Sequence, residues 1–143
     1  MTWVIDASVA VKWFVEEARS AAARNVLASD QPIVAPDLII PEACNTAWKK
    51  IRRGDISREQ GEAMMGALPM SFDRLAPCAP LSARALELAQ RLDHPAYDCF
   101  YLALAEAESA VLVTDDERLI KLARRARLGK SVTPLAGFEG QSK

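Results

Sequence analysis

The sequence predicts an α/β fold: a three-layer α/β/α sandwich around a mostly parallel central sheet of about five strands. Two observations carry this. Short β-rich apolar runs are each followed by a helical stretch, several times over, and this order is the signature of a sheet covered by helices. The 143 residues also fall within the usual size range of one domain and contain no internal repeat. A chain of this length buries roughly two-thirds of the surface it exposes when unfolded, so it needs no staples to fold. Residues 1–143 are therefore expected to form a single domain, with a short flexible tail from about residue 137.

The elements follow in order. "TWVID" (2–6) reads as the first strand, and "ASVAVKWF" with "ARSAAARNVLAS" as one broken or two successive helices. "IVA" (33–35) is the second strand. Residues 37–53 have helical spacing, with Asp37 as the expected N-cap and Gly54 as the stop. "SREQGEAMMGAL" opens with a Ser57–Gln60 capping box and continues as a helix to Pro69. "SFDRLAP" suits a short edge strand, and residues 81–92 and 96–109 are helical on either side of "DHP". "AVLVT" (110–114) is a strongly β-branched strand, "DERLIKLARRARLG" a helix ending at Gly129, and "SVTPL" a fifth strand at an edge, given Pro134.

Half the residues are apolar and about a quarter charged, with six glycines and eight prolines, which excludes disordered, collagen-like and disulfide-scaffold classes. Cys44, Cys78 and Cys99 are odd in number and lack C-x-x-C spacing, so neither a disulfide framework nor a zinc cluster is indicated. No run approaches the ~18 to 20 apolar residues of a membrane span, and no basic leader precedes the first apolar stretch. A cytoplasmic protein without a membrane anchor is the expectation. A net charge of −1 argues against coating nucleic acid by bulk electrostatics, but it leaves room for an acidic pocket that metal ions turn into a phosphate site.

The chemistry concentrates in carboxylates. In open parallel sheets, ligands bind beyond the carboxyl ends of the strands where strand order reverses. Asp6 ends the first strand and Asp116 lies two residues past "VLVT", so both face one crevice if these strands are neighbours. Glu42 and Asp98 sit in the first turns of helices able to rim it. Four converging carboxylates repel one another unless a cation screens them, and a hard divalent ion such as Mg²⁺, with Mn²⁺ able to substitute, takes oxygen ligands of this kind. Simpler roles are open for each acid. Asp6 is suited to cap the following helix, Glu42 and Asp98 are favoured near helix N-termini by the macrodipole, and Thr114 with Glu117 forms a T-x-x-E capping box.

"VIDASVAVKWF", "PEACN", "YDCFYLALAE" and "VTDDERL" together resemble the four acidic motifs of PIN-domain ribonucleases, specifically the VapC-type toxins of bacterial toxin–antitoxin pairs. The resemblance runs from residue 4 to about residue 120. It implies a PIN-like fold and a Mg²⁺-dependent endoribonuclease that hydrolyses RNA phosphodiester bonds without a covalent intermediate. It implies Asp6 and Asp98 as principal metal ligands, with Glu42 and Asp116 completing the acidic cluster, in part through water. Ser8 and Thr114 match the family's small hydroxyl positions, and Asn45 the polar position one turn after the motif glutamate. "TDD" also offers Asp115, although T-x-D alignment favours Asp116. A homodimer and a small VapB-like antitoxin partner are implied as well. A silent PIN-like domain that only binds RNA or a protein is the alternative.

His94 is the only histidine and is expected at the start of a helix, which makes a histidine-based hydrolase a poor fit. The tryptophans and Phe14 suit core or dimer surface. Basic residues gather at 49–53 and again at Arg118, Lys121, Arg124, Arg125, Arg127 and Lys130. Solvated helix faces explain them, while Arg124 and Arg125 are the candidates for steering an RNA backbone in a salt-dependent way.

Overall fold

A computed structural model of the chain describes residues 1–140. Five strands, β1 (Trp3–Ile5), β2 (Ile33–Pro36), β3 (Arg74–Ala76), β4 (Val111–Thr114) and β5 (Val132–Pro134), form one sheet in the order β3-β2-β1-β4-β5. All four pairings are parallel. Parallel neighbours need crossovers, and the chain supplies seven helices for them: α1 (Ala7–Ala10), α2 (Ser20–Leu27), α3 (Ile39–Arg53), α4 (Arg58–Ala67), α5 (Ser82–Leu92), α6 (Ala96–Glu108) and α7 (Glu117–Arg125). The result is the expected α/β/α architecture.

The strands are short and apolar because they are covered on both faces. β2 is buried throughout, and Val4, Ile5, Leu112 and Val113 of the two central strands are fully buried. α6 lies against β1, β2 and β4, and its residues Cys99 and Tyr101 to Ala105 are all buried. The sheet starts at β1 and grows outward in both directions, first through β2 and β3, later through β4 and β5. Strand order therefore reverses between β1 and β4, where the crevice of an open parallel sheet forms.

Helix ends follow local chemistry with three exceptions. Gly54 stops α3 in the left-handed region at φ 79°, and Ser57 and Gln60 form the reciprocal capping box of α4. Asp37, however, does not cap α3. Its N–H extends the sheet edge by donating to Ala76 O at 2.8 Å, and its carboxylate accepts from Cys78 N at 3.3 Å, so Leu38 takes the cap position without a side-chain bond. α7 ends before Gly129. Arg127 adopts the left-handed conformation at φ 61° and Leu128 N donates back to Ala123 O at 2.8 Å, closing the helix early. The T-x-x-E box at Thr114 is absent because Asp116 caps α7 itself, accepting from Arg118 N and Leu119 N.

After β5, Leu135–Phe138 make one 3₁₀ turn. Phe138 packs edge-on against Trp3 with ring centroids 5.4 Å apart, and its carbonyl accepts from Asn25 Nδ2 at 2.8 Å. Of the tail expected from about residue 137, Gly137 and Phe138 belong to this turn, and residues 141–143 lie outside the described residues. No described helix is long and apolar enough to cross a membrane.

The two-sided burial of the central strands sets a stability test. Leu112→Ala, at a fully buried position, should lower unfolding free energy in urea by roughly 2–5 kcal/mol. Leu86→Ala, at a position 58% exposed on α5, should change it by less than about 0.5 kcal/mol. Equal effects would contradict the core described here.

Candidate active site at the sheet reversal

Register brings the two acid-tipped strands side by side. Ile5 pairs with Val113, so Asp6 lies beside Thr114 at the carboxyl end of the sheet. Asp6 is buried and only 6% exposed. Ser8 Oγ donates to its Oδ1 at 2.6 Å and Val9 N donates to the same oxygen at 3.3 Å, while Thr114 Oγ1 donates to Oδ2 in a short hydrogen bond. The same two hydroxyls accept from the next strand's exit, Ser8 Oγ from Asp115 N at 3.0 Å and Thr114 Oγ1 from Asp116 N at 3.1 Å. A strand that runs straight into Asp6 is thus stitched to its neighbour through two alternating hydroxyl–carboxylate links. The carboxylate caps α1 as well, so the capping and site roles coincide.

Every group on Asp6 is a neutral donor. Burial pushes its carboxyl up to about 7, against the lowering pull of the Ser8 and Thr114 hydroxyls, and the charge of Asp98 pushes in the same direction as burial. Glu42 is also raised, by burial first and by Asp98 in addition. Its Oε1 accepts from the phenol of Tyr101 at 2.6 Å. Tyr101 is fully buried, and burial together with Glu42, Asp6 and Asp98 holds its hydroxyl well above the usual tyrosine range, which keeps it a neutral donor. The charges of Glu42, Asp6 and Asp98 therefore all act on the Tyr101 hydroxyl.

Asp98, in the first turn of α6, receives a second fixed contact: His94 Nε2 lies 2.7 Å from its Oδ2, with the imidazole 8% exposed. Asn45 and Glu42 line an open pocket of about 370 Å³ together with Leu38, Pro41 and Tyr97, one turn along α3. Asp116 stands differently. Its Oδ1 takes the Arg118 and Leu119 amides at 2.9 and 3.4 Å, leaving Oδ2 without a partner among the described residues. Asp115 is committed elsewhere, held by Arg19 through two hydrogen bonds of 2.7 and 3.0 Å and by Lys12 at 3.4 Å. Lys12 in turn pairs with Glu17 at 3.0 Å, and Lys50 reaches the same Glu17 at 2.9 Å.

The structure therefore brings together Asp6, Glu42 and Asp98, sets Asp116 at the rim as a helix cap with one free oxygen, and uses Asp115 in an ion-pair network. Among the described residues, no three His, Cys, Asp or Glu side chains are placed to hold a metal ion unaided. Two participants went unmarked in the sequence. Tyr101 has a local signal in hindsight, since it stands three residues after Asp98 and so on the same face of α6. His94 stands one turn before Asp98, spacing at which an imidazole reaches a carboxylate.

The raised carboxyl gives a pH test with a defined sign. A buried acid with a folded value near 7 and an ordinary unfolded value near 3.8 binds its proton more tightly in the native state, so its contribution is fully present at low pH and is lost as pH rises towards 7. Chelator-treated protein should lose thermal stability between about pH 4 and pH 7. Asp6→Asn should flatten that decline; a slope identical to the parent's would contradict the assignment.

Residues 3–125 match the family described as PIN domain. Ribonuclease VapC3 of Pyrobaculum aerophilum is 32% identical over 121 residues, covering 83% of this chain and 92% of that protein. Among solved structures, PAE2754 of the same organism superposes with a TM-score of 0.72 at 23% identity, covering 96% of this chain and 85% of that one. VapBC2 of Rickettsia felis, bound to a DNA fragment from its promoter, superposes with a TM-score of 0.67 at 16% identity, covering 94% and 98%. The matched span includes all four motif acids, and the chain belongs to the PIN domain family.

Proposed function

We infer that the chain is a Mg²⁺-dependent endoribonuclease of the VapC type, the toxin of a toxin–antitoxin pair, with Mn²⁺ able to replace Mg²⁺. The observation that carries the reading is the buried Asp6 carboxylate, which has hydroxyl and amide donors but no cationic partner among the described residues, while the charge of Asp98 acts on both Asp6 and Glu42. Such a site accumulates negative potential that only a cation or a proton relieves. The VapC3 relative supports the reaction class.

The donor set fits a hard divalent ion. It consists of carboxylate oxygens with hydroxyls beside them and lacks cysteine thiolates, and Mg²⁺ is usually held by one or two carboxylates while it keeps several waters. Among the described residues no three-residue cage is present, which agrees with that habit. Asp6 and Asp98 would hold the ion, with Glu42 and the free oxygen of Asp116 acting through water. When bound, the ion polarises the phosphate and makes water acidic enough to attack at neutral pH.

The protein's own groups do the positioning. Ser8 and Thr114 fix both oxygens of Asp6, and their second bonds lock the β4 exit to the β1 exit, so Asp6 and Asp116 keep one relative placement. Tyr101, itself buried, orients Glu42 through its phenol. His94 directs one oxygen of Asp98, leaving the other for the site. The Arg19–Asp115–Lys12 pairs hold the loop after β4 against the segment that joins α1 to α2. A homodimer, a cytoplasmic location and a VapB-like antitoxin complete the proposal, supported by the family and by the toxin–antitoxin neighbours of the fold.

Purified protein on a mixed RNA pool should cut internally with Mg²⁺ and not with EDTA. Asp6→Asn and Asp98→Asn should each slow cutting by about 10²-fold or more, the scale lost when one well-placed electrostatic group is removed. Cutting by Asp6→Asn at the parental rate would refute the mechanism, and RNA binding without cutting by the parent would favour a silent binding domain.

A further inference from the structure

The polar face of α7 forms a second charged feature. Arg118, Lys121 and Arg125 recur at i, i+3 and i+7 and so lie along one stripe, with Arg124 beside them, while Leu119, Ile120 and Leu122 bury the opposite face. Across from this stripe the turn between α5 and α6 supplies Asp93 and His94, and together these residues line an open pocket of about 560 Å³. None of the four basic side chains forms an ion pair among the described residues, although Arg19, Arg24, Arg58, Arg74 and Arg84 all do. In a chain of net charge −1, acids were available to neutralise them. Four unpaired cations around one pocket repel one another, and an anion relieves the repulsion.

His94 joins this pocket to the candidate active site. It lines the pocket, and its Nε2 lies 2.7 Å from Asp98 Oδ2. An anion held by the stripe therefore rests one imidazole away from an acid of the reaction centre. The donors suit phosphodiesters: guanidinium forks bind phosphate oxygens in pairs, and exposed, flexible cations follow a backbone better than they enclose a small metabolite.

We propose that this pocket is a phosphate subsite for the RNA backbone, in which Arg118, Lys121, Arg124 and Arg125 hold a phosphodiester neighbouring the one cut beside Asp98. The assignment to RNA rests on the ribonuclease reading above. Phosphate contacts fix register and carry no base information, so this subsite positions the strand and leaves sequence choice to other surfaces.

The single histidine provides a direct reporter. With inorganic phosphate added at constant pH and ionic strength, the His94 ring proton signal should move and saturate in the parent but not in an Arg124→Gln/Arg125→Gln variant. Both arginines are exposed, so the fold should survive; Lys121→Gln provides an independent variant if it does not. With a fluorescent single-stranded RNA in EDTA, the double variant should bind more weakly, and its slope of log affinity against log salt should be shallower by about 0.7 per contact removed. Asp98→Asn should bind this RNA in EDTA at least as well as the parent, while in Mg²⁺ it cuts about 10²-fold or more slowly.

Unchanged phosphate response, affinity and salt slope in the double variant would overturn the subsite. So would displacement of phosphate by an acidic peptide but not by RNA, which would assign the pocket to a protein partner. A parent that binds RNA through these arginines yet cuts none would keep the subsite and sink the ribonuclease reading. A parent that cuts RNA with Arg124 and Arg125 dispensable would do the reverse.

Discussion

The structure depends on a carboxylate placed where a carboxylate is costly. Asp6 ends a strand at the centre of the sheet, buried, with only hydroxyl and amide donors around it. A neutral side chain would pack there at less cost, and a lysine or arginine would neutralise it. Instead the chain supplies two hydroxyls that orient the group without cancelling its charge, and places Asp98 where its charge acts on both Asp6 and Glu42. Stability alone gives no reason for this. The proposed role in recruiting a cation does.

That constraint explains much of the local architecture. The hydroxyls of Ser8 and Thr114 each serve one oxygen of Asp6 and one backbone amide of the β4 exit, so two neighbouring strand ends behave as one unit. The ion pairs of Asp115 hold that exit from the other side, and Tyr101 fixes Glu42 through its phenol. The acidic centre is bordered by a basic stripe on α7, with His94 between them. Opposite charges are segregated by a single side chain, which is how a chain of nearly zero net charge can approach a polyanion.

Much of this was legible in the sequence, and the reasons for the rest are physical. The strand and helix alternation is local patterning, so the sheet and its seven helices follow from it. Asp6 announced itself because an apolar strand stopping at an acid is locally unfavourable. The Ser57–Gln60 cap and the Gly54 stop are governed by neighbours within four residues, and both hold. Asp37 lost its cap role to a strand edge that arrives about forty residues later, and Arg127 took a left-handed position usually left to glycine; neither competitor is visible locally. Tyr101 meets Glu42 from 59 positions away and Arg19 meets Asp115 from 96. Such long-range pairings emerge only once the sheet order is known, as does the division of labour between Asp115 and Asp116.

The most direct measurement is the anomalous scattering of Mn²⁺ in a crystal of the protein. The account predicts a peak about 2.0–2.2 Å from a carboxylate oxygen of Asp6, on the side facing Asp98, that vanishes in Asp6→Asn. A peak bound elsewhere with Asp6 untouched, or one that persists in the variant, would contradict it.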